Sequence, residues 1–240
     1  MIVIPMAGLS SRFFNAGYDK PKYMLLANGM PLFDHAVLSF KGYFDSIPFL
    51  FILRDVYDTP EFVQQRCKAL GIKNFSILIL DNETRGQAET VYLGLSDVAD
   101  ETPLTIFNID TFRPDFILPQ CSLYCDGYLE VFKGEGSNWS YVKPESSDSI
   151  RVIETAEKKQ ISDLCSTGLY HFKYTGDYKR IFKKESAKPA KQWHNNELFI
   201  APLYNHLINE GKIIQYNLID VNEVIFCGTP SEYIEYLRRF

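Results

Sequence analysis

The chain has 240 residues, 46% of them hydrophobic and 23% charged, with a mean hydropathy of -0.14; this describes an ordinary globular protein and excludes a disordered, collagen-like or coiled-coil chain. At roughly 150 residues per domain, the length suits one large domain, or one domain with a small lobe, able to bury a sizeable core. A net charge of -5 and a pI near 5.5 exclude bulk nucleic acid and an anionic membrane as main partners, so any phosphate must be held in a local basic pocket.

The chain opens on an apolar strand, Ile2 to Pro5, with neither a charged n-region nor a signal-length apolar core before the loop that follows. The expectation is a chain that starts inside its fold and works in the cytoplasm. Apolar runs then alternate with helical patterns: a helix over Leu32 to Phe40, a strand over Phe49 to Leu53, a helix over Pro60 to Leu70, and a strand over Ile77 to Leu80. A helix over Ala88 to Leu95 and a buried strand over Leu104 to Ile109, ending at Asp110, complete this part. Such alternation marks a parallel sheet built from strand-helix-strand crossovers. No run approaches a membrane span, since even Phe49 to Leu53 is closed by Arg54 and Asp55.

Beyond Asp110 the pattern changes to short strands at Tyr128 to Phe132, Tyr141 to Lys143, Val152 to Glu154 and Gly168 to Phe172, separated by polar turns. A helix over Ile200 to Asn209 stops at Gly211; strands Ile213 to Ile219 and Glu223 to Phe226 precede a last helix after Pro230. No linker or repeat separates the parts, so the expectation is one domain over 1–240 with a continuous sheet. The aromatic-rich stretch Tyr124, Tyr128, Phe132, Trp139 and Tyr141 reads first as core, with a pocket wall or the interface of a homo-oligomer as alternatives. Cys67, Cys121, Cys125, Cys165 and Cys227 form an odd, scattered set that suits reduced thiols, and Cys121 and Cys125 lack a second pair at zinc spacing. The sequons at Asn82 and Asn138 read as chance matches without a secretory signal.

Four segments could carry chemistry. In the first, strand Ile2 to Pro5 empties into the small-residue loop Ala7, Gly8, Leu9, Ser10, Ser11, whose backbone N–H groups can form an anion nest. Arg12 adds a planar fork for phosphate oxygens, and Lys22, in a Lys-Pro-Lys turn, adds a point charge. A small-residue loop after the first strand stands at the usual phosphate position of such sheets; the alternative is a surface turn with two solvated cations. It is neither a Walker A loop nor a dinucleotide fingerprint, because the required lysine-hydroxyl pair and glycines are missing. In the second, Asp110 at a strand end faces the crevice where Mg²⁺ would bridge carboxylate and phosphates, although strand ends also carry turn-forming Asp. In the third, Gly86, Gln87 and Ala88 open a helix, and small residues there let a flat ring approach while Gln87 offers a donor and an acceptor. In the fourth, Glu157 and Lys158 precede Ser-Thr-Gly168-Leu-Tyr: a carboxylate for hydroxyls beside a lysine for phosphate, or simply a solvated face.

Taken in order, AGLSSR with PKYML, the Gly-Gln-Ala turn, Asp110, Glu157-Lys158, Ser-Thr-Gly-Leu-Tyr and Cys-Gly-Thr-Pro-Ser-Glu-Tyr resemble the nucleotidylyltransferases, the sugar-1-phosphate pyrophosphorylases and their cytidylyltransferase relatives, over residues 2 to about 233. The resemblance implies an α/β, Rossmann-like three-layer sandwich with a mixed, mainly parallel central sheet, in which residues 1–115 are the nucleotide-binding half and 116–240 the acceptor-binding half. It implies that Ala7 to Arg12 and Lys22 cradle a nucleoside triphosphate, with Arg12 and Lys22 catalytic, and that Gly86, Gln87 and Ala88 face the base. Asp110 would hold Mg²⁺, and Glu157, Lys158 and Gly168 would line a site for a phosphorylated small-molecule acceptor. The departures are Ser10, where the family usually has glycine, and Phe226, where it has a second metal carboxylate; Asp220 is the expected replacement, with Glu223 a rival. The implied activity is transfer of a nucleoside monophosphate to a sugar phosphate or similar acceptor with release of pyrophosphate, with cytidine slightly preferred and polysaccharide precursor synthesis as the setting. A glycosyltransferase using a nucleotide sugar, or a catalytically silent nucleotide sensor, are the alternatives. His35, His171, His194 and His206 have no nucleophile at recognisable spacing and read as structural or surface residues.

Overall fold

A computed structural model describes residues 1–239. The strands are Ile2–Pro5 (β1), Leu26–Ala27 (β2), Met30–Pro31 (β3), Phe49–Arg54 (β4), Phe75–Leu80 (β5) and Leu104–Phe107 (β6), followed by Thr111–Phe112 (β7), Gly127–Lys133 (β8) and Ser140–Pro144 (β9). Val152–Glu157 (β10), Leu164–Phe172 (β11), Ile214–Leu218 (β12) and Ile225–Phe226 (β13) complete them. The helices are Ser11–Asn15 (α1), Leu32–Leu38 (α2), Thr59–Leu70 (α3), Gln87–Gly94 (α4), Thr175–Ser186 (α5), Tyr204–Asn209 (α6) and Pro230–Leu237 (α7). Strand order in the main sheet is β10-β9-β11-β6-β1-β4-β5, with β8 on β11 and β12 on β8. The pairs β1–β4, β4–β5 and β8–β12 are parallel; β8–β11, β9–β11 and β9–β10 are antiparallel. This is the expected α/β class with a mixed sheet.

Two differences from the sequence reading matter. The strand expected to run to Ile109 ends at Phe107, so Asp110 stands in the turn after β6 rather than on it. No helix was expected at α5, where Thr175, Tyr178, Ile181, Phe182 and Glu185 form the buried face. The aromatic members of that face are diluted by Lys179, Arg180, Lys183 and Lys184, and a buried Glu185 replaces an apolar residue in the stripe, which hides the period.

The chain forms two compact units. The first comprises Ile2–Glu83, Phe107–Ile117 and Asn222–Phe240. Its core is largely aromatic: Phe33 packs against Phe51 and Phe62, and Phe40 meets Phe49, Phe107 and Phe116 with centroids 6.3, 5.0 and 5.1 Å away. β1 is buried at every position, so it reads as a continuous apolar run, as a parallel strand covered on both faces must. α3 buries Thr59, Val63 and Cys67, spaced by four, and α7 starts at a capping box between Thr229 and Glu232.

The second unit comprises Met1, Thr84–Ile106 and Leu118–Val221. Phe172 stacks on Tyr204 at 4.4 Å and meets Tyr178 edge-on at 5.0 Å, while Tyr128 stacks on His171. Tyr128, Phe132 and Tyr141 are buried as core, whereas Tyr124 is exposed. All five cysteines are free thiols. No helix among the described residues is long and apolar enough to cross a membrane.

His171 couples this core to pH. Burial, and then the Met1 ammonium, push its pKa down to about 4, while its Nδ1 meets Thr105 Oγ1 at 3.0 Å. The native state keeps the ring neutral where an unfolded chain already binds a proton near pH 6.5. The stability is therefore present above pH 6.5 and falls as pH drops towards 4. Between pH 7 and 5 this contributes a loss of about 2 kcal/mol, measurable by urea denaturation; His171→Gln should flatten that part of the slope, and an unchanged slope would clear His171 of the effect.

Candidate functional site

In the first unit, the loop after β1 carries a run of open backbone donors. No protein acceptor among the described residues takes the backbone N–H of Ala7, Gly8, Leu9, Ser10, Ser11 or Arg12, so six donors lie together on an open segment that includes exposed Gly8, Leu9, Ser11 and Arg12. Buried backbone donors without partners are rare; exposed ones in series form an anion-binding concavity. Phe13 on α1 is buried and tilts against Tyr18 and Tyr233, and Phe14 stacks on Tyr57 at 5.2 Å, which fixes α1 beneath the loop.

Ser10 stands where a glycine was expected, and its backbone takes the left-handed conformation that glycine favours, φ 53° and ψ 28°. The turn survives the substitution. Ser10 Oγ accepts a hydrogen bond from Lys22 N at 3.2 Å and so ties the loop to the Lys-Pro-Lys turn. Ser10→Ala keeps the strain and loses that bond, and should cost about 1 kcal/mol in urea denaturation; Ser10→Gly loses the bond but relieves the strain, and should stay within about 0.5 kcal/mol. Equal losses in both variants would contradict this assignment.

Lys22 Nζ donates to Asp110 Oδ2 at 2.5 Å, each side chain 22% exposed. Asp110 is fixed from behind: its carbonyl accepts from Cys227 N at 2.8 Å, where β13 pairs with β7. A Cβ on Gly228 would lie 3.0 Å from Asp110 Oδ2 and 3.6 Å from Glu232 Oε2, so glycine leaves a space against the carboxylate that alanine would fill. Burial first, and then the charges of Glu232 and Asp110, push the Cys227 thiol up to about 12, leaving it inert. A half-buried carboxylate with hard oxygen donors fits Mg²⁺, which keeps waters and needs only one or two protein carboxylates beside substrate phosphates.

Phe226, at the usual position of the second carboxylate, is committed to the β7–β13 pair opposite Thr111. Asp220 is exposed after β12, in the second unit. The carboxylate beside Gly228 is Glu232, which sequence reasoning did not single out; its Oε2 accepts from Thr229 N at 2.8 Å in the cap of α7. Glu223, the other rival, lies 3.7 Å from Arg113.

In the second unit, Gly86 caps α4 with φ 141°. A Cβ there would lie 2.5 Å from Leu198 O and 2.7 Å from Leu198 N, so only glycine permits this approach. Leu198 N donates to Arg85 O at 2.8 Å and Ala88 N donates to Leu198 O at 3.0 Å, a two-bond zipper between the turn and the segment before Phe199. Ala88 is fully buried; it holds the turn in place, and Gln87 beside it is partly exposed.

Glu157 ends β10 in the same unit. Burial pushes its carboxyl above the usual range, although Ser140 Oγ donates to Oε2 and the Lys158 charge opposes the rise. Gly168, at φ 90°, lies in the register shift of β11 between Ser166 and Tyr170, buried; the bulge carries Tyr170, whose hydroxyl reaches Ser140 Oγ at 3.5 Å. Burial, and then Glu157, push the Tyr170 hydroxyl up to about 12, so it remains a donor. Glu157 lines a cavity of about 330 Å³ with Lys159, Trp193, His194, Glu197 and Phe199. Lys158 has a left-handed backbone, φ 52°, and its Nζ lies over the Phe199 ring at 4.4 Å. Trp193 and Phe199 were not named from the sequence, because nothing in their spacing ties them to residue 157. Among the described residues no group of three or more His, Cys, Asp or Glu side chains is arranged to hold a metal.

No protein-family model and no protein of curated function matches the chain. Among solved structures it is similar to the nucleoside-diphosphate-sugar pyrophosphorylase from Vibrio cholerae RC9, with 58% identity over 99% of this chain and 100% of that one and a TM-score of 0.96. A provisionally assigned glucose-1-phosphate thymidylyltransferase from Bacillus anthracis matches 99% of this chain and 94% of its own at 18% identity, TM-score 0.79. The inositol-1-phosphate CTP transferase from T. maritima matches 99% and 94% at 14% identity, TM-score 0.73. These last two, at such low identity, speak for the fold alone.

Proposed function

The chain belongs to the nucleoside-diphosphate-sugar pyrophosphorylases, and from that premise we propose that it transfers a nucleoside monophosphate from a triphosphate to a phosphorylated small molecule, a sugar phosphate first of all, releasing pyrophosphate. An acceptor phosphate oxygen attacks the α-phosphorus in line; the bond from that phosphorus to the bridging oxygen of the β-phosphate breaks, and that oxygen leaves on pyrophosphate. Both reactants are anions, so the protein's work is neutralisation and alignment. The observation that carries this reading is the series of six undonated N–H groups from Ala7 to Arg12, tied through Ser10 to the backbone of Lys22, whose ammonium sits on Asp110.

Arg12 and Lys22 neutralise the charge that builds on the leaving pyrophosphate. Gly86 and Gln87 serve the base, which the resemblance makes cytosine first. Glu157 holds acceptor hydroxyls and Lys158 the acceptor phosphate. Asp110 would hold Mg²⁺, which when bound lowers the charge of the phosphates and fixes their geometry. Asp220 is exposed and keeps only the role of a candidate second ligand; Glu232 is the better placed carboxylate in the first unit. The product, a nucleotide-activated sugar, suits synthesis of surface polysaccharide precursors in the cytoplasm.

The test is pyrophosphate release across common triphosphates and sugar 1-phosphates with Mg²⁺, CTP first. Release that needs both substrates supports the proposal. Hydrolysis of a nucleotide sugar without pyrophosphate release supports a glycosyltransferase instead, and binding without turnover in every combination supports a sensor.

A further inference from the structure

Lys158 is an unusual lysine. Its backbone is held in a left-handed conformation by a hydrogen bond from its N–H to Trp139 O at 2.9 Å, and its ammonium sits on an aromatic face rather than on a carboxylate. Carboxylates are near, since Glu157 precedes it, and Glu157 and Glu197 line one cavity with the Phe199 ring. A cation over a ring keeps nearly all its hydrogen-bonding capacity, because the ring face attracts charge without taking a directed N–H. Pairing with a carboxylate would consume a donor and cancel the charge that an incoming phosphate needs.

The ring is itself held. His194 meets Phe199 edge-on at 6.2 Å, and the preceding residue, Leu198, is zipped by its N–H and carbonyl to Arg85 and Ala88 at the start of α4. Gly86 allows that zipper by having no Cβ. The turn read as the base site and the ring that carries Lys158 are therefore parts of one hydrogen-bonded stretch within the second unit.

We propose that Phe199 is a positioning residue: its ring, which itself lines the cavity beside Glu157, holds the Lys158 ammonium unpaired on its face, ready for the phosphate of the acceptor, and Leu198 ties that ring to the nucleotide turn. This rests on the acceptor role given to Lys158 above. It follows that Phe199→Leu, similar in bulk but without a π face, releases the ammonium to wander or to pair with Glu157 or Glu197. Phe199→Tyr keeps the face and restores the position.

The experiment uses the whole chain with its lysines reductively ¹³C-dimethylated, which keeps their charge, and follows the Lys158 resonance, assigned by its absence in Lys158→Arg. Inorganic phosphate is the probe. The expected result is a Lys158 signal shifted upfield by the ring in the wild type and in Phe199→Tyr, and at the ordinary lysine position in Phe199→Leu. Phosphate should perturb that signal saturably, with affinity roughly 5- to 10-fold weaker in Phe199→Leu and restored in Phe199→Tyr. In turnover, the acceptor KM should rise by a similar factor while the triphosphate KM stays within about twofold. A Lys158 signal indifferent to phosphate, equal phosphate affinity in the leucine variant, or failure of tyrosine to restore it would each overturn the proposal. Failure of the transfer reaction itself is read separately, as no pyrophosphate from any substrate pair, and leaves the phosphate titration to stand or fall alone.

Discussion

Asp110→Ala and Lys22→Ala should each lower turnover by at least roughly 100-fold, the order of loss expected when a charge aimed at a transferring phosphoryl group is removed. The two side chains form a partly exposed pair, 22% accessible each, so their mutual attraction adds little to stability, about 1 kcal/mol at most. A loss of turnover in a protein that unfolds at nearly the wild-type denaturant concentration is therefore a catalytic loss. The two variants should also differ: Lys22→Ala leaves Asp110 free to hold a cation, whereas Asp110→Ala leaves Lys22 unpaired and should weaken the dependence of the residual rate on Mg²⁺ concentration. Near-normal rates in either purified, folded variant would remove that residue from the mechanism.

Gly86→Ala should be the most damaging single methyl group in the second unit. Its φ of 141° is open to glycine and costly for any other residue, and the new Cβ would stand 2.5 Å from Leu198 O. Backbone cannot swing aside as a side-chain tip can, so the segment must shift and both bonds of the Leu198 zipper weaken. We expect about 3 kcal/mol of lost stability in urea denaturation, with a raised KM for the triphosphate in whatever folds. An alanine variant of wild-type stability would show that the turn relaxes without cost and that the zipper does not hold it.

The alternation of apolar runs and helical patterns made the α/β class legible, because covered parallel strands such as β1 and β4 are apolar at nearly every position. The position of the small-residue loop was legible for a similar reason: small residues directly after an apolar first strand, followed by Arg12 and Lys22, mark the segment where the chain leaves the sheet. What the loop's backbone does was not legible, since propensity gives no sign that Ser10 takes a glycine conformation. α5 was missed because a buried Glu185 and four basic residues broke its stripe. The aromatic excess resolves into ring-on-ring packing in both units, with Phe40, Phe172 and Tyr204 at its centres. Phe199 and Glu232 belong to the class that only tertiary structure reveals: one matters through a contact with Lys158, 41 positions earlier, the other through Gly228 and a helix cap.

The central claim, transfer of the α-phosphorus to a phosphorylated acceptor, is tested most directly by following label from [α-³²P]CTP, or from the triphosphate that the activity matrix selects, with an unlabelled sugar 1-phosphate. The account predicts all transferred label in a diphosphate-linked product, with unlabelled pyrophosphate formed in equal amount and both reactions abolished without acceptor. Label appearing as free nucleoside monophosphate at the same rate with and without acceptor, or no label transferred to any acceptor, would contradict it.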